Sequence, residues 1–195
     1  MRMRHALTAT LAILGLVGAP ALRAQEEGKP TRPTPTKQHA LLKQFEGEWD
    51  TMSRFQHMEG KAETKEMKDV PGTESANVMM GDLWLAFVYH STMKDTPFTG
   101  HGLIGYDPAK GKFTGIWVDS FSPFIMNFEG TVDPTGKKFT FESTGTDPKT
   151  NKACKGMMIC EIKDHDHRST KFFRIDETGT EKMMGEILYT RTASH

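Results

Sequence analysis

Cysteine is scarce in this chain of 195 residues, which contains two, Cys154 and Cys160. A framework of several disulfides is therefore excluded as the source of its stability. If both cysteines lie on one strand, their spacing separates them by roughly 20 Å, which is beyond disulfide reach. We expect two thiols on one face of a strand, although a bulge or chain break between them would allow a bridge.

The chain also lacks a catalytic signature. It contains no Gly-x-Ser-x-Gly, His-Glu-x-x-His, phosphate-binding loop or dinucleotide fingerprint. Glu142 and Asp119 would form a carboxylate pair only if the fold brought them together. These absences favour a binding protein over an enzyme.

Long apolar runs are missing as well, since no stretch beyond the N-terminus is apolar for the roughly 20 residues that a membrane helix needs. The N-terminus itself combines Arg2, Arg4 and His5 with an apolar run over residues 7–17. This pattern predicts a secretory signal peptide over residues 1–24, with an uncleaved membrane anchor as the alternative. We therefore expect a periplasmic or secreted protein.

The sequence also lacks an excess of positive charge. Cleavage after residue 24 would remove Arg2, Arg4 and Arg23, so that 25 basic residues become 22 against 25 acidic ones, a net charge of −3. Nucleic acids and anionic membranes both select concentrated basic surfaces. We expect no nucleic-acid partner and no stable membrane insertion after cleavage, while the composition favours no particular oligomeric state.

The mature chain is predicted to begin with a tether and a short helix. Residues 25–36 are polar and contain three prolines, which is typical of a flexible linker. Thr36 can cap a helix that carries apolar residues on one side and ends at Gly47. Such a short helix is marginal alone and is expected to plug one end of a single domain over residues 37–195.

From Gly47 onward the hydrophobic period changes to two, and Asp-Pro and Gly turns recur. Residues 59–72 are charged and predict a long connection or a weak edge strand, and Lys94 to Pro97 is expected to be a four-residue turn. Many short strands without a covering helix indicate an all-β fold, an up-and-down barrel or a sandwich. The predicted strands are 49–57, 73–80, 83–93, 98–106, 113–119, 124–132, 138–144, 153–163, 168–176 and 182–191.

Several motifs together resemble a known family. They are Gly47-Glu48-Trp49, the run from Gly100 to Asp107, Gly115-Ile116-Trp117, Phe128-Glu129-Gly130-Thr131 and Tyr189-Thr190-Arg191. As a set, over roughly residues 41–192, they resemble the bacterial family DUF1579, which is similar to the calycins, the lipocalin and fatty-acid-binding barrels. The resemblance implies a single antiparallel up-and-down calycin-like barrel of about 8–10 strands. It also implies a small apolar ligand and no established activity.

The same resemblance implies a structural role for Trp49 and Arg191. In calycins a tryptophan of the first strand packs beneath the barrel and a late arginine lies across it, and these two residues match those positions. A guanidinium on an indole ring gains about 0.5–2 kcal/mol of cation–π attraction. The alternative is that Trp49 is an ordinary core residue and Arg191 an exposed charge.

The leading functional hypothesis is an exported carrier or sensor that binds a small hydrophobic molecule in the barrel, without a cofactor. Phe124, Met126 and Phe128 share one face of a strand, and with Trp117 and Met158 they are the expected lining. The mouths of β-barrels are frequent ligand sites, but small barrels are often filled by their own side chains. A filled barrel with a structural or interaction role is therefore an alternative.

A metal or haem protein with a redox or detoxifying role is a further alternative. A four-residue turn would place His90 opposite His101, where two imidazoles could bind haem or a metal, although the apolar pattern favours both facing outward. The run from Asp164 to His167 is interpreted as a solvated hairpin tip, with a metal loop as the alternative. Eleven methionines remain after cleavage, and Met158 with Cys154 and Cys160 would offer soft ligands to Cu(I). Methionine lining a core or cavity is the simpler interpretation.

Overall fold

The computed structural model describes residues 31–56 and 68–192 and contains ten strands closed into an antiparallel barrel. Each strand pairs with its neighbours in sequence, and the first pairs with the last, so no described strand has a free edge. The strands are β1 Gly47–Phe55, β2 Val70–Met79, β3 Trp84–Met93, β4 Thr96–Asp107, β5 Lys112–Asp119, β6 Ser122–Val132, β7 Lys138–Thr146, β8 Ala153–Ile162, β9 His167–Ile175 and β10 Glu181–Arg191.

This topology confirms the predicted up-and-down calycin-like barrel. Each of the ten predicted strands has an observed counterpart, with ends that differ by a few residues. The largest shift is at β2, which begins at Val70, within the segment predicted as a long connection or a weak edge strand. The predicted signal peptide, the first half of the tether and residues 57–67 lie outside the described residues.

The turn between β3 and β4 was predicted wrongly. It contains two residues, Lys94 and Asp95, rather than four, and both have positive φ, 49° and 64°. Such a turn matches the right-handed twist of its flanking strands. Its register pairs His90 with Thr99 and His101 with Val88, so the predicted pairing of His90 with His101 is wrong.

One end of the barrel is covered by a short helical segment. Helix α1, Lys37–Leu41, continues into a 3-10 turn, Leu42–Gln44. Thr36 precedes the helix, and its backbone N–H donates to the Nδ1 atom of His39 at 3.0 Å. The helical segment buries Leu42 completely, so it closes this end as an apolar plug.

The interior next to the plug is filled. Phe113 and Phe139 are 1% and 0% exposed, and their rings meet edge to face with centroids 5.3 Å apart. Phe45 brings a third ring to within 5.1 Å of Phe139. This half of the barrel is therefore a packed core held mainly by aromatic contacts.

Both cysteines are free, as predicted. They lie on the inward face of β8, where Cys154 pairs with Gly145 and Cys160 pairs with the fully buried Phe139. In the described part of the chain, no helix is long and apolar enough to cross a membrane.

Candidate functional site

No described helix or strand covers the barrel end opposite the plug, and we call this end the mouth. Six inward-facing side chains line it and remain partly exposed, although a closed wall surrounds them. Their exposure must come through the lumen, because their outer side is the barrel wall. They are Phe98, Trp117, Phe124, Met126, Met158 and Phe172.

Four of the five predicted ligand residues lie in this mouth: Trp117, Phe124, Met126 and Met158. Trp117 pairs with Met126 across β5 and β6, so the two side chains are neighbours. Phe128 differs, since it is 7% exposed and packs edge to face on Phe141 in the filled core. The structure therefore places Phe128 below the open part of the lumen.

An aromatic row runs along the wall of the mouth. The ring of Trp117 stacks on Phe87 at 5.9 Å and on Phe98 at 6.5 Å, and Phe98 stacks on Phe121 at 5.8 Å. Phe87, Phe98 and Phe121 were not among the predicted ligand residues. The four rings together form a continuous aromatic surface on this wall.

Two glycines explain why these rings lie against the wall rather than across the lumen. A Cβ atom at Gly100 would collide with the Trp117 indole, and one at Gly102 would collide with the Phe87 ring. The indole is also fixed by its Nε1 atom, which donates to Asp119 at 3.0 Å. Asp119 therefore orients the indole. Glu142, the other carboxylate of the pair considered from the sequence, is an exposed residue on β7, two strands from Asp119.

A polar cluster is buried between the mouth and the plug, formed by Thr51, Glu74, Arg168 and Tyr189. The guanidinium of Arg168 donates to the carboxylate of Glu74, and the two side chains are 4% and 7% exposed. Arg168 also lies 3.6 Å from the ring centroid of Tyr189. The sequence analysis missed this ion pair.

Burial controls the ionisation of the groups around this cluster. It raises the pKa of the Glu74 carboxyl, and the charge of Arg168 opposes that shift. It likewise raises the pKa of the Tyr189 phenol and of the Cys160 thiol. Cys160 therefore holds its proton at neutral pH and is a poor nucleophile or metal ligand in this state.

Trp49 and Arg191 meet at the plugged end. They are paired across β1 and β10, and the Arg191 guanidinium lies 4.1 Å from the Trp49 ring centroid. Trp49 is 1% exposed and donates through Nε1 to the carbonyl of Phe45 at 2.9 Å. Arg191 donates to the carbonyl of Glu46 at 2.6 Å. These contacts tie both strands to the plug.

A pocket with a volume of about 670 Å³ also lies at the plugged end, and its lining includes Lys43, Lys137, Asp164 and His165. Arg191 forms part of its wall and already donates to two backbone carbonyls. Since its lining is of mixed charge and its arginine is engaged in closing the barrel, we place the candidate ligand site at the mouth.

The other predicted metal and haem ligands do not converge. His90 is exposed, with its Nδ1 atom 3.1 Å from the Thr99 hydroxyl. His101 is also exposed on the outer face, but it pairs with Val88 rather than with His90. His165 and His167 lie on an exposed hairpin tip, with side chains 81% and 53% accessible. Across the described ranges, no three His, Cys, Asp or Glu side chains form a group able to hold a metal ion.

Fold and site together define a lipocalin-like barrel, plugged at one end and left uncovered at the other by the residues that the structure describes. The chain belongs to the DUF1579 family, described as proteins of unknown function, whose family model matches residues 34–191. No curated protein matches it in sequence.

Solved structures with this fold are distant in sequence. The crystal structure of Rv2717c from M. tuberculosis matches with a TM-score of 0.59 at 15% identity, over 81% of this chain and 99% of that one. The S-type phycobiliprotein lyase CPES from Guillardia theta matches with a TM-score of 0.52 at 10% identity, over 83% and 100%. At these identities the likeness shows the fold alone.

Proposed function

We propose that this protein binds a small, mainly apolar molecule in the mouth of its barrel and acts as a carrier or sensor. The observation that supports this function is the contrast between the two ends of the lumen. Inward side chains at the plugged end are buried, whereas Trp117, Phe124, Met126 and Met158 are reached by solvent from inside the barrel. A ligand that covered these side chains would gain roughly 25 cal/mol for each Å² of apolar surface removed from water.

The chemistry of the mouth favours apolar over charged ligands. Its wall is the aromatic row together with two methionines, and methionine adapts its shape to different contents. The carboxylate of Asp119 at the mouth already accepts the indole N–H of Trp117. A protein named as a phycobiliprotein lyase shares this fold, so the fold itself does not distinguish a carrier from an enzyme.

We further propose that the protein is exported and works in the periplasm or outside the cell. The support is the basic, then apolar, then small-residue pattern of residues 1–24. Mass spectrometry of the protein from fractionated cells tests this directly. A mature N-terminus near residue 25 in the periplasm or medium supports export, and an intact N-terminus in the cytoplasm contradicts it.

Native mass spectrometry of protein freshly purified from its host tests the carrier function. A reproducible added mass that is lost on denaturation is expected. Binding of the neutral apolar dye N-phenyl-1-naphthylamine then locates the site through a blocking variant. In Gly145→Met the new side chain fills the mouth beside Met126, where an added Cβ lies 3.5 Å from its nearest neighbour and fits without collision.

Thr144→Met is the matched control, because Thr144 precedes Gly145 on β7 and is exposed on the outer face. A methionine in the lumen displaces about four ligand atoms, each worth at least ~0.3 kcal/mol, so Gly145→Met should weaken dye binding about tenfold. The control should bind like the wild type. Equal affinities for all three proteins, each with an unchanged melting temperature, would place the dye outside the mouth.

A further inference from the structure

The interior of the barrel holds a neutralised ion pair rather than a free charge. Arg168 on β9 reaches across the lumen to Glu74 on β2, and its guanidinium also lies 4.6 Å from the ring centroid of Trp49. Each charge is thus compensated by the other, and aromatic rings cover the cation. A second anion beside Arg168 would face the carboxylate of Glu74.

Two polar atoms of the same cluster have no hydrogen-bond partner among the described residues. They are Nε of Arg168 and Oγ1 of Thr51, in side chains that are each 4% exposed. Buried donors without an acceptor are rare in proteins because desolvation then goes uncompensated. Two such atoms in one cluster leave room for an acceptor that the described residues do not supply.

The two atoms belong to one layer of the barrel. Arg168 pairs with Tyr189 across β9 and β10, and Tyr189 pairs with Thr51 across β10 and β1. Side chains on paired residues point to the same face of a sheet, so all three face the lumen. Arg168 and Thr51 thus lie two strands apart on the lumen side of this layer, with Tyr189 between them.

This layer adjoins the open mouth. Tyr189, Trp49, Tyr89 and Ile187 form one buried cluster, and Phe98, Trp117 and Phe172 of the mouth pack against it. A molecule that enters along the aromatic row thus meets the polar cluster at its inner end. Aromatic rings thus lead from the mouth to a polar cluster at the inner end.

We infer that the ligand is an uncharged, mainly apolar molecule whose inner end carries an accepting oxygen, such as a ketone or ester carbonyl. The donors available to this oxygen are Nε of Arg168 and Oγ1 of Thr51. A carboxylate is disfavoured because Glu74 already neutralises Arg168 and would repel it. This inference rests on the proposed function and specifies its ligand class.

Three matched probes test the ligand class at neutral pH: decane, its methyl ketone decanone, and decanoate. Each displaces N-phenyl-1-naphthylamine from the wild-type protein, and the displacement constants are compared. Decanone should bind about tenfold more tightly than decane, since a hydrogen bond to a charged donor is worth more than one to a neutral donor. Decanone should also bind more tightly than decanoate.

Thr51→Val tests the cluster without disturbing the ion pair. The substitution is nearly isosteric and removes a hydroxyl that has no partner, so stability should be equal or higher. The advantage of decanone over decane should fall to about threefold or less, and Thr51→Ser, which keeps a hydroxyl, should restore it. Glu74→Gln should raise the affinity for decanoate relative to decanone about tenfold or more, because it leaves the charge of Arg168 uncompensated.

The outcomes separate this inference from the proposed function. If the dye and all three probes fail to bind, the proposed function is wrong. If decane competes as well as decanone, or decanoate binds more tightly than decanone in the wild type, the barrel is a carrier but the inferred ligand class is wrong. Should Glu74→Gln not fold, the wild-type ranking and the Thr51→Val and Thr51→Ser pair decide the question.

Discussion

Two arginines contact the indole of Trp49, and they have different roles. Arg191 lies over the ring near the barrel end and bonds to the carbonyl of Glu46, so it joins the last strand to the plug. Arg168 contacts the same ring from within the lumen and holds Glu74. The indole thus separates the structural contacts of the closed end from the polar cluster beneath the mouth.

Replacement of Trp49 by alanine should lower the free energy of unfolding by about 3–5 kcal/mol. The side chain is 1% exposed, and its removal leaves a cavity, an unpaired Phe45 carbonyl and two guanidiniums that have lost their contact with the indole. Chemical denaturation measures the loss. Trp84→Ala is the control, because Trp84 is a partly exposed residue on β3 and should cost less. A loss below about 1 kcal/mol for Trp49→Ala would mean that the indole does not hold the barrel closed.

Side-chain partners across the lumen were harder to predict than strands. Trp117, Phe124, Met126 and Met158 could be found because aromatic and methionine residues at period two predict a lining. Glu74 and Arg168 are separated by 94 positions in sequence, and pairing them requires the barrel to be closed first. The available signal was Glu74 itself, a charged residue on the same face of its strand as Ala76 and Val78.

Among the elements, the strands were the most predictable, because the hydrophobic period and the turn chemistry agree along the whole chain. The β3–β4 turn was the exception. Lys94 and Asp95 are not the glycine or asparagine usually found at positive φ, so the sequence did not mark them as a two-residue turn. That error moved the expected register and produced the false pairing of His90 with His101.

The plug is a helical element too short to be stable alone, so tertiary packing must hold it. Leu42 is the residue that carries this packing, since it is fully buried in the core with Phe45 and Phe139. Leu42→Ala should therefore lower the free energy of unfolding by about 2–5 kcal/mol.

Lys43→Ala is the matched control for the plug, because Lys43 is the next residue and its exposed ion pair with Asp82 contributes little. Urea denaturation should show a large loss for Leu42→Ala and almost none for the control. Binding of N-phenyl-1-naphthylamine at the mouth should be retained by Leu42→Ala under conditions where it is folded. A loss of dye binding by the folded variant would place the ligand at the plugged end.

In the molecule as a whole, the described carboxyl groups whose pKa is lowered lie outside the lumen, at turns and on the outer wall. Hydrogen bonds or neighbouring cations lower the pKa of six carboxyl groups: Asp69, Glu129, Asp133, Asp147, Asp164 and Asp176. A carboxyl with a lowered pKa in the folded state adds stability above its unfolded pKa, which is about 3.9 for Asp and 4.3 for Glu. That stability is lost as the pH falls from about 5 through these values.

Asp133 in the β6–β7 turn allows this pH dependence to be assigned to one group. Its carboxylate accepts the backbone N–H groups of Lys137 and Lys138, each at 3.1 Å, and these bonds lower its pKa. Asp133→Asn removes the charge and keeps an acceptor oxygen. The wild type should therefore melt at a higher temperature than the variant at pH near 7, and the gap should close as the pH falls below the unfolded pKa of about 3.9. Melting curves of both proteins across this range measure the gap. A gap of constant size would show that the charge of Asp133 does not stabilise the turn.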